Sequence, residues 1–126
     1  MFLNTITLFN VMQNNDNTTY HRSVISNVFY YVNRIISNEG NGEKYTTAYH
    51  VIFSEESLEN YVSKKEFDGT ENTFTLREND IIVLGEYETI EDLKELQQSK
   101  ADFFLIKTIG ENLYGDNNLQ NIEVTN

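Results

Sequence analysis

The sequence contains no cysteine, no proline and no tryptophan. Without cysteine the chain can form neither a disulfide nor a thiolate nucleophile, so its fold depends on ordinary packing. Without proline, its turns depend on Gly, Asn, Asp and Ser. Histidine is scarce too: His21 and His50 are the only two, and each lies in an apolar stretch that predicts a strand. No nucleophile-elbow, zinc-protease or phosphate-loop motif occurs, and we expect a protein without enzymatic activity and without a cofactor.

Basic residues are few. Nine Lys and Arg stand against twenty Asp and Glu, which gives a net charge of −11. Nucleic-acid affinity depends mainly on Lys and Arg that neutralise phosphates, so we expect no specific nucleic-acid binding. The whole surplus of negative charge falls in residues 51–126, because charges balance in residues 1–50. This asymmetry favours one acidic face, which is either simply solvated or repels polyanions.

Long apolar runs are also missing. No window approaches the roughly 18 apolar residues of a membrane-spanning helix. We expect no secretory signal at Met1–Asn4, since neither a basic region nor an apolar stretch of about 7–15 residues occurs there. We expect cytoplasmic synthesis and no membrane partner. The 126 residues, 39% of them hydrophobic, suit a single domain over residues 1–126 with one core.

What the chain does contain is a series of β-branched and aromatic segments separated by polar turns. The predicted strands are Thr5–Phe9, Thr19–Ile36 (one long strand, or two that break near Ser26 and Asn27), Tyr45–Phe53, Tyr61–Phe67 as an edge strand, Ile81–Leu84, Phe103–Ile109 and Asn121–Thr125. The pattern is typical of a mainly β domain. We expect a small β-barrel or sandwich of six to eight short strands.

One helix is predicted, over Ile90–Ser99. The preceding Thr89 begins a pattern that resembles a capping box, and Leu93 and Leu96 form an apolar pair at helical spacing. Acidic residues in the first turn could in principle hold a divalent cation. The helix dipole favours them there in any case, so we assign them a structural role and expect no metal site.

Two features are candidates for contact with other proteins. The segment Ser37–Lys44 has two glycines and no apolar residue, and we expect it to be a mobile connection that projects from the domain, or a plain solvent loop. Its candidate interaction residues are Asn38, Glu39, Gly40, Asn41, Gly42 and Glu43. The second feature is the aromatic run Phe29, Tyr30 and Tyr31. Each of these residues belongs either to the core or to an interface, where tyrosine is common.

Several segments, taken in order, resemble a known group of proteins. They are Thr5–Asn10 with Tyr20–Ile25, then Tyr49–Phe53, then Phe74–Gly85, then Phe104–Ile109 leading to Tyr114-Gly115 and Leu119–Val124. Their order is similar to that of small proteins of tailed phages and prophages of low-GC Gram-positive bacteria, encoded among genes for head completion and head–tail joining. Those proteins carry a polar-Gly-Asp-Tyr-Ile-Val-x-Gly strand and a closing Tyr-Gly-Ser … His-Trp-x-Val. Here Asn79 stands at the Gly, and Asn121-Ile122 at the His-Trp.

The resemblance implies a virion neck component, most like a head–tail stopper or adaptor. Such proteins are small β-barrels that assemble as a homo-oligomeric ring under the portal, with portal or adaptor proteins on one side and the tail on the other. The location would be the virion, after synthesis in the host cytoplasm, and an acidic surface would suit a DNA-channel lining. Two other classes stay open: a tail-side structural protein (tail terminator or baseplate part), and a small acidic host-directed inhibitor.

Overall fold

The computed structural model describes residues 4–40, 42–99, 101–112 and 121–126. These residues form seven strands, one 3-10 turn (Glu56–Leu58) and one α-helix, α1 (Leu93–Gln98). The strands are β1 (Asn4–Asn14), β2 (Asn17–Glu39), β3 (Gly42–Phe53), β4 (Ile81–Leu84), β5 (Phe103–Leu105), β6 (Thr108–Asn112) and β7 (Asn121–Thr125). The prediction of a mainly β fold with one short helix is confirmed, although β1, β2 and β3 are long.

The seven strands form one antiparallel sheet in the order β5-β4-β1-β2-β3-β7-β6. Its two outermost strands, β5 and β6, are separated in sequence only by Ile106 and Lys107. The backbone N–H of Ile106 donates to Asp80 O at 2.9 Å, and that of Lys107 donates to Thr125 O at 2.8 Å. One run of chain therefore joins the β4 side of the sheet to the β7 side, and the sheet curls into a half-barrel.

The main core lies on the inner face of this curled sheet. Its buried members from the strands include Leu8, Val28 and Phe53. Residues 54–80, between β3 and β4, cover this face and contribute Phe74 and Leu76 to the same cluster. The rings of Phe53 and Phe74 lie 6.4 Å apart. The inner core is thus closed by a long irregular segment rather than by a second sheet.

A smaller cluster lies on the outer face of β1 and β4. Phe9 and Val83 pack there against Ile90 and Leu96, which belong to the α1 region. Because side chains alternate along a strand, β1 and β4 place apolar residues on both faces. That double burial explains why Ile81–Leu84 is an uninterrupted apolar run.

The helix is shorter than predicted. Asp92 has an extended backbone (φ −151°), and its side chain accepts a hydrogen bond from Lys94 N at 3.0 Å, so it is the N-cap of α1. The predicted start at Ile90 is wrong because Asp92, and not Thr89, supplies the cap. Ile90 is instead buried in the outer cluster, ahead of the helix.

Two strand predictions are corrected. Tyr61–Phe67 is not an edge strand: it makes only an isolated bridge from Tyr61 to Phe74. Phe103–Ile109 is two strands, because Ile106 and Lys107 turn the chain from β4 towards β7.

The segment predicted as one or two strands over Thr19–Ile36 is a single strand with an irregularity. Asn27 has a positive φ of 64°, and the register with β1 shifts beside it, between Asn4 and Thr5. Before the extra residue the odd-numbered side chain of Ile25 is buried, and after it the even-numbered side chain of Val28 is buried. The irregularity therefore decides which face each later residue of β2 occupies.

A buried polar network fastens the covering segment to β1. The Asp80 carboxylate, in a residue only 2% exposed, accepts hydrogen bonds from Asn10 Nδ2 (2.7 Å), Val11 N (3.0 Å) and Arg77 Nε (3.2 Å). The same Asn10 amide nitrogen also donates to Thr75 O at 2.7 Å. Because these polar groups have their partners, burying them is tolerated.

Candidate interaction surfaces

The hairpin of β2 and β3 extends beyond the rest of the sheet. Its twelve residue pairs run from Val28–Phe53 to Glu39–Gly42. On one side β1 reaches no further than Val28, and on the other β7 pairs only with residues 50–53. Residues 34–39 and 42–47, with the turn between them, have no further strand beside them among the described residues. We call this part of the hairpin the arm; six residues of strand span about 20 Å.

The mobile connection predicted over Ser37–Lys44 is replaced by paired strands. The ladder continues to Glu39 and Gly42, which leaves a two-residue turn. A turn of this length is enough to join antiparallel strands, so polar residues beside it can continue the ladder. Gly40 has a φ of 65°, a conformation that glycine adopts without strain.

The candidate interaction residues of this segment lie at the end of the arm. Those in the described part of the chain are Asn38, Glu39, Gly40, Gly42 and Glu43. Asn41 lies outside the described residues. Their contact with another subunit stays a prediction.

The aromatic run is divided between the two faces of β2. Tyr30 faces inward and packs against the inner core, whereas Phe29 and Tyr31 lie on the outer face. The rings of Phe29 and Tyr31 are 5.8 Å apart, and Tyr31 stacks on His50 at 4.4 Å with planes 4° apart. His50 Nδ1 lies 3.1 Å from Glu123 Oε1. Two of the three candidates thus share an outer patch, and their role in an interface stays a prediction.

The inner face of the hairpin carries apolar and polar side chains from the core out into the arm, with Arg34 between Val32 and Ile36. Val32 and Ile36 follow Tyr30 on the same face and are 49% and 58% exposed. Opposite Val32, Tyr49 still packs on the body, with its ring 5.3 Å from that of Phe104. Beyond this pair, Ile36 is exposed on the same face as Arg34 and Thr47.

An open groove of about 1000 Å³ lies between residues 61–65 and β6. Its apolar lining is Tyr61, Leu76 and Ile109, which also contact the inner core. The Tyr61 hydroxyl donates to Glu111 Oε1 at 3.3 Å. Burial, and then the neighbouring Glu111 carboxylate, raises the pKa of Tyr61 above its usual value, so its hydroxyl is a neutral donor.

The charge of this groove is the reverse of the chain's. Its charged lining residues are Lys64, Lys65, Arg77, Lys107, Glu78 and Glu111, a surplus of two positive charges in a chain of net charge −11. Arg77 is paired with the buried Asp80, so the three exposed lysines supply the available positive charge, and against Glu78 and Glu111 they leave a surplus of one. We call this site the basic groove. Lys64 and Lys65 line the same groove as Lys107, more than forty residues away, and no local pattern in the sequence predicts this proximity.

Residues 86–95 form an acidic surface, which we call the acidic segment. It holds five carboxylates, all on exposed residues, and a single lysine, Lys94. Hydrogen bonds fasten it to the outer face of β1 and β2: Tyr87 N donates to Thr7 Oγ1 at 2.9 Å, and Arg22 Nε donates to Tyr87 O at 2.6 Å. Five of the twenty Asp and Glu residues of the chain thus lie on one segment that hydrogen bonds hold to the sheet.

The two histidines lie in separate environments. His21 Nε2 is 2.7 Å from Thr73 O, beside the covering segment. His50 pairs with Tyr31, ten residues further along β2, or about 30 Å of strand. Among residues 4–40, 42–99, 101–112 and 121–126, no group of three or more His, Asp or Glu is placed to hold a metal ion. In that same part of the chain, no helix is long and apolar enough to cross a membrane.

One comparison with known proteins gives a match. The model of a family of unknown function, DUF6751, matches residues 2–126. No curated protein and no solved structure matches the chain. The matched range includes the arm, the basic groove and the acidic segment. The chain therefore belongs to DUF6751, a family of unknown function.

Proposed function

We propose that this chain is a structural subunit of the neck of a tailed phage or phage-derived particle, stopper-like or adaptor-like, which works by assembling into a ring under the portal. The observation that carries the proposal is the arm. A hairpin without a supporting strand or covering layer is marginally stable in water. An arm with Ile36 exposed, and with Val32 exposed at its base, is therefore suited to be completed by another subunit.

The conformation of Asn79 also supports the resemblance to head–tail joining proteins. Those proteins carry Gly at this position, and Asn79 has a φ of 71°. This left-handed region is free to glycine and is tolerated best by Asn among the other residues. The next residue of the shared pattern, Asp80, is the centre of the buried network. The closing Tyr114-Gly115 lies outside the described residues.

The charge of the chain suits a position around DNA. A net charge of −11 disfavours adhesion of a polyanion, so DNA could pass such a surface without being held. The partners in this proposal are the portal or adaptor proteins above and the tail proteins below, with no specific nucleic-acid contact.

Shortening the arm tests the proposal. Residues Ser37–Lys44 are replaced by Asn-Gly, so that the pair Ile36–Tyr45 is closed by a two-residue turn. We expect the free energy of unfolding to change by less than about 1 kcal/mol, because Ser37–Lys44 has no apolar residue to bury and loop closure depends weakly on length. Phage that carry only this variant should accumulate unjoined heads and free tails in electron micrographs. The control exchanges Gly40 and Asn41 for Asn and Gly, which keeps the length of the arm, and should join normally.

The same micrographs separate the other classes. Filled heads with tails of abnormal length or without baseplates would indicate a tail-side structural protein. Normal particles in the absence of the gene, with loss of an effect on the host, would indicate an inhibitor. Mass spectrometry of purified particles is the direct check, since absence of the wild-type chain from the virion would overturn the neck assignment.

A further inference from the structure

The basic groove and the acidic segment lie on opposite faces of the curled sheet. Leu76 and Ile109 of the groove belong to the inner core. The acidic segment is fastened through Tyr87 to Thr7 on the outer face of β1, beside the outer cluster. Two complementary surfaces at different places on one subunit cannot satisfy each other within that subunit. They fit a head-to-tail contact, which generates a ring when its rotation closes.

We propose that the basic groove of one copy of this chain binds the acidic segment of a second copy. The inference rests on the proposed function as a ring subunit, and it names the contact between neighbours. Lys64, Lys65 and Lys107 of the groove face the carboxylates of Glu88 and Glu91. These charges are exposed and are opposite in sign, so they can select the partner and its orientation.

The backbone structure of the two surfaces is also compatible with this contact. Residues 86–90 belong to neither strand nor helix and precede α1, and Glu86, Glu88 and Thr89 among them are exposed. On the groove side, β6 is the last strand in the sheet order and pairs, within the described residues, with β7 alone. An irregular segment can therefore lie along β6 between the lysines and above the apolar lining of Tyr61 and Ile109.

The same charges make the contact weak between free copies. Two chains of net charge −11 repel each other, while the attraction is confined to a few exposed pairs that salt screens. Copies brought together on a template meet at a much higher effective concentration. The test must therefore detect a weak contact.

Cysteine cross-linking provides such a test, because the wild-type chain has no cysteine. A Lys64→Cys variant is mixed with a Glu88→Cys variant under mild oxidation, and the disulfide-linked dimer is measured on a non-reducing gel. The matched control replaces Lys64→Cys by Lys94→Cys, which removes the same charge from another exposed lysine. We expect about tenfold more mixed dimer from the first pair than from the control. A single chain that carries both Lys64→Cys and Glu88→Cys should form covalent oligomers and not an internal disulfide.

Charge reversal tests the same contact without cysteine. A chain with Lys64→Glu and Lys65→Glu, and a chain with Glu88→Lys and Glu91→Lys, should each lose the weak self-association that sedimentation velocity detects at high protein concentration. Their mixture should recover it, since an acidic groove then meets a basic segment. Lys94→Glu removes the single lysine of the acidic segment and should associate more strongly than wild type, whereas Thr18→Glu, at an exposed residue outside both surfaces, should associate like wild type. Circular dichroism checks that each variant is folded.

Several results would overturn the inference. Equal cross-linking with Lys64→Cys and Lys94→Cys would mean that the contact is not specific. Predominant Lys64→Cys homodimers would mean a symmetric interface. Unchanged self-association in the Lys64→Glu, Lys65→Glu chain, with lost binding to another virion protein or to duplex DNA, would mean a different occupant. None of these outcomes touches the arm experiment, which can still support or refute the neck assignment.

Discussion

The region around Asp80 and the arm are built from the same kind of antiparallel ladder, yet they are supported in opposite ways. At Asp80 the sheet is covered on both faces, and the carboxylate has three donors within its own chain. In the arm, two strands extend alone among the described residues, with Ile36 58% exposed. The comparison places stability in the body of the sheet, whereas the arm contributes little burial of its own.

Removing the Asp80 carboxylate should have the largest effect. Asp80→Ala leaves Asn10 Nδ2 and Val11 N without this acceptor and leaves the Arg77 guanidinium without its counter-charge. We expect a loss of about 3–4 kcal/mol in the free energy of unfolding, measured by urea denaturation. Glu78→Ala, at an exposed position of the same turn, should change it by less than about 0.5 kcal/mol. A loss below about 1 kcal/mol for Asp80→Ala would show that the network is not what holds this region.

Two valines on one face of β2 provide a direct test of body against arm. Val28 is fully buried and Val32, four residues further along, is 49% exposed. Val28→Thr places a hydroxyl in the core and should cost about 2 kcal/mol. Val32→Thr should cost less than about 0.5 kcal/mol, while it lowers the yield of joined particles. If both changes destabilise the isolated chain equally, the base of the arm belongs to the body.

The smallest effect is expected at Tyr61 and is seen against pH. Its pKa is raised in the folded chain by burial and by Glu111, so the stability it contributes is present below the usual tyrosine pKa and is lost as the pH rises through the folded value. Tyr61→Phe should cost about 0.5 kcal/mol at neutral pH, for one partly exposed hydrogen bond. It should also reduce the loss of stability above about pH 10.

Denaturation curves collected from pH 7 to pH 11 check this prediction. Glu111→Gln serves as the control, because it removes the second cause of the shift and keeps the phenol. The Glu111→Gln variant should lose less stability between pH 7 and pH 11 than wild type does, but it should still lose some. Identical alkaline curves for wild type and Tyr61→Phe would contradict the environment that we assign to Tyr61.

Strands with a strong local signal could be predicted from the sequence. Ile81–Leu84 is an apolar run ended by Gly85, whose φ of 101° is open to glycine and strained for other residues. Asn121–Thr125 alternates apolar and polar side chains, and its buried residues are Ile122 and Val124. In both cases the local pattern of side chains is enough to predict the strand, and the predicted bounds agree with those of the structure.

Long-range polar pairing could not be predicted in this way. Asn10 and Asp80 meet across seventy residues, and each looks like a turn residue in its own segment. Likewise, polar residues of Ser37–Lys44 indicated a loop, although the ladder of β2 and β3 continues through them. Composition predicts where water is tolerated, and it does not distinguish a solvated loop from a solvated hairpin.

The backbone conformation of a single residue decides which face of β2 each aromatic candidate occupies. The sequence reading left core and interface open for each of Phe29, Tyr30 and Tyr31, and strand alternation separates them once the register is known. The register is shifted by Asn27, with a positive φ of 64°. Asn does adopt this conformation, but nothing in the local pattern requires it to do so.

The run from Phe103 to Asn112 that connects both sides of the sheet also has a consequence for the order of folding. The hairpins of β1, β2 and β3 contain near neighbours in sequence, and they can form while the chain is being synthesised. β4 pairs with β1 only after the intervening segment is made, and β3 and β6 both wait for β7. The nascent chain thus has its arm before it has a closed body, with Val51 and Phe53 uncovered for that interval. Slow closure of these distant pairs should limit the folding rate, so a newly made chain exposes its hairpin for an interval before its core is covered.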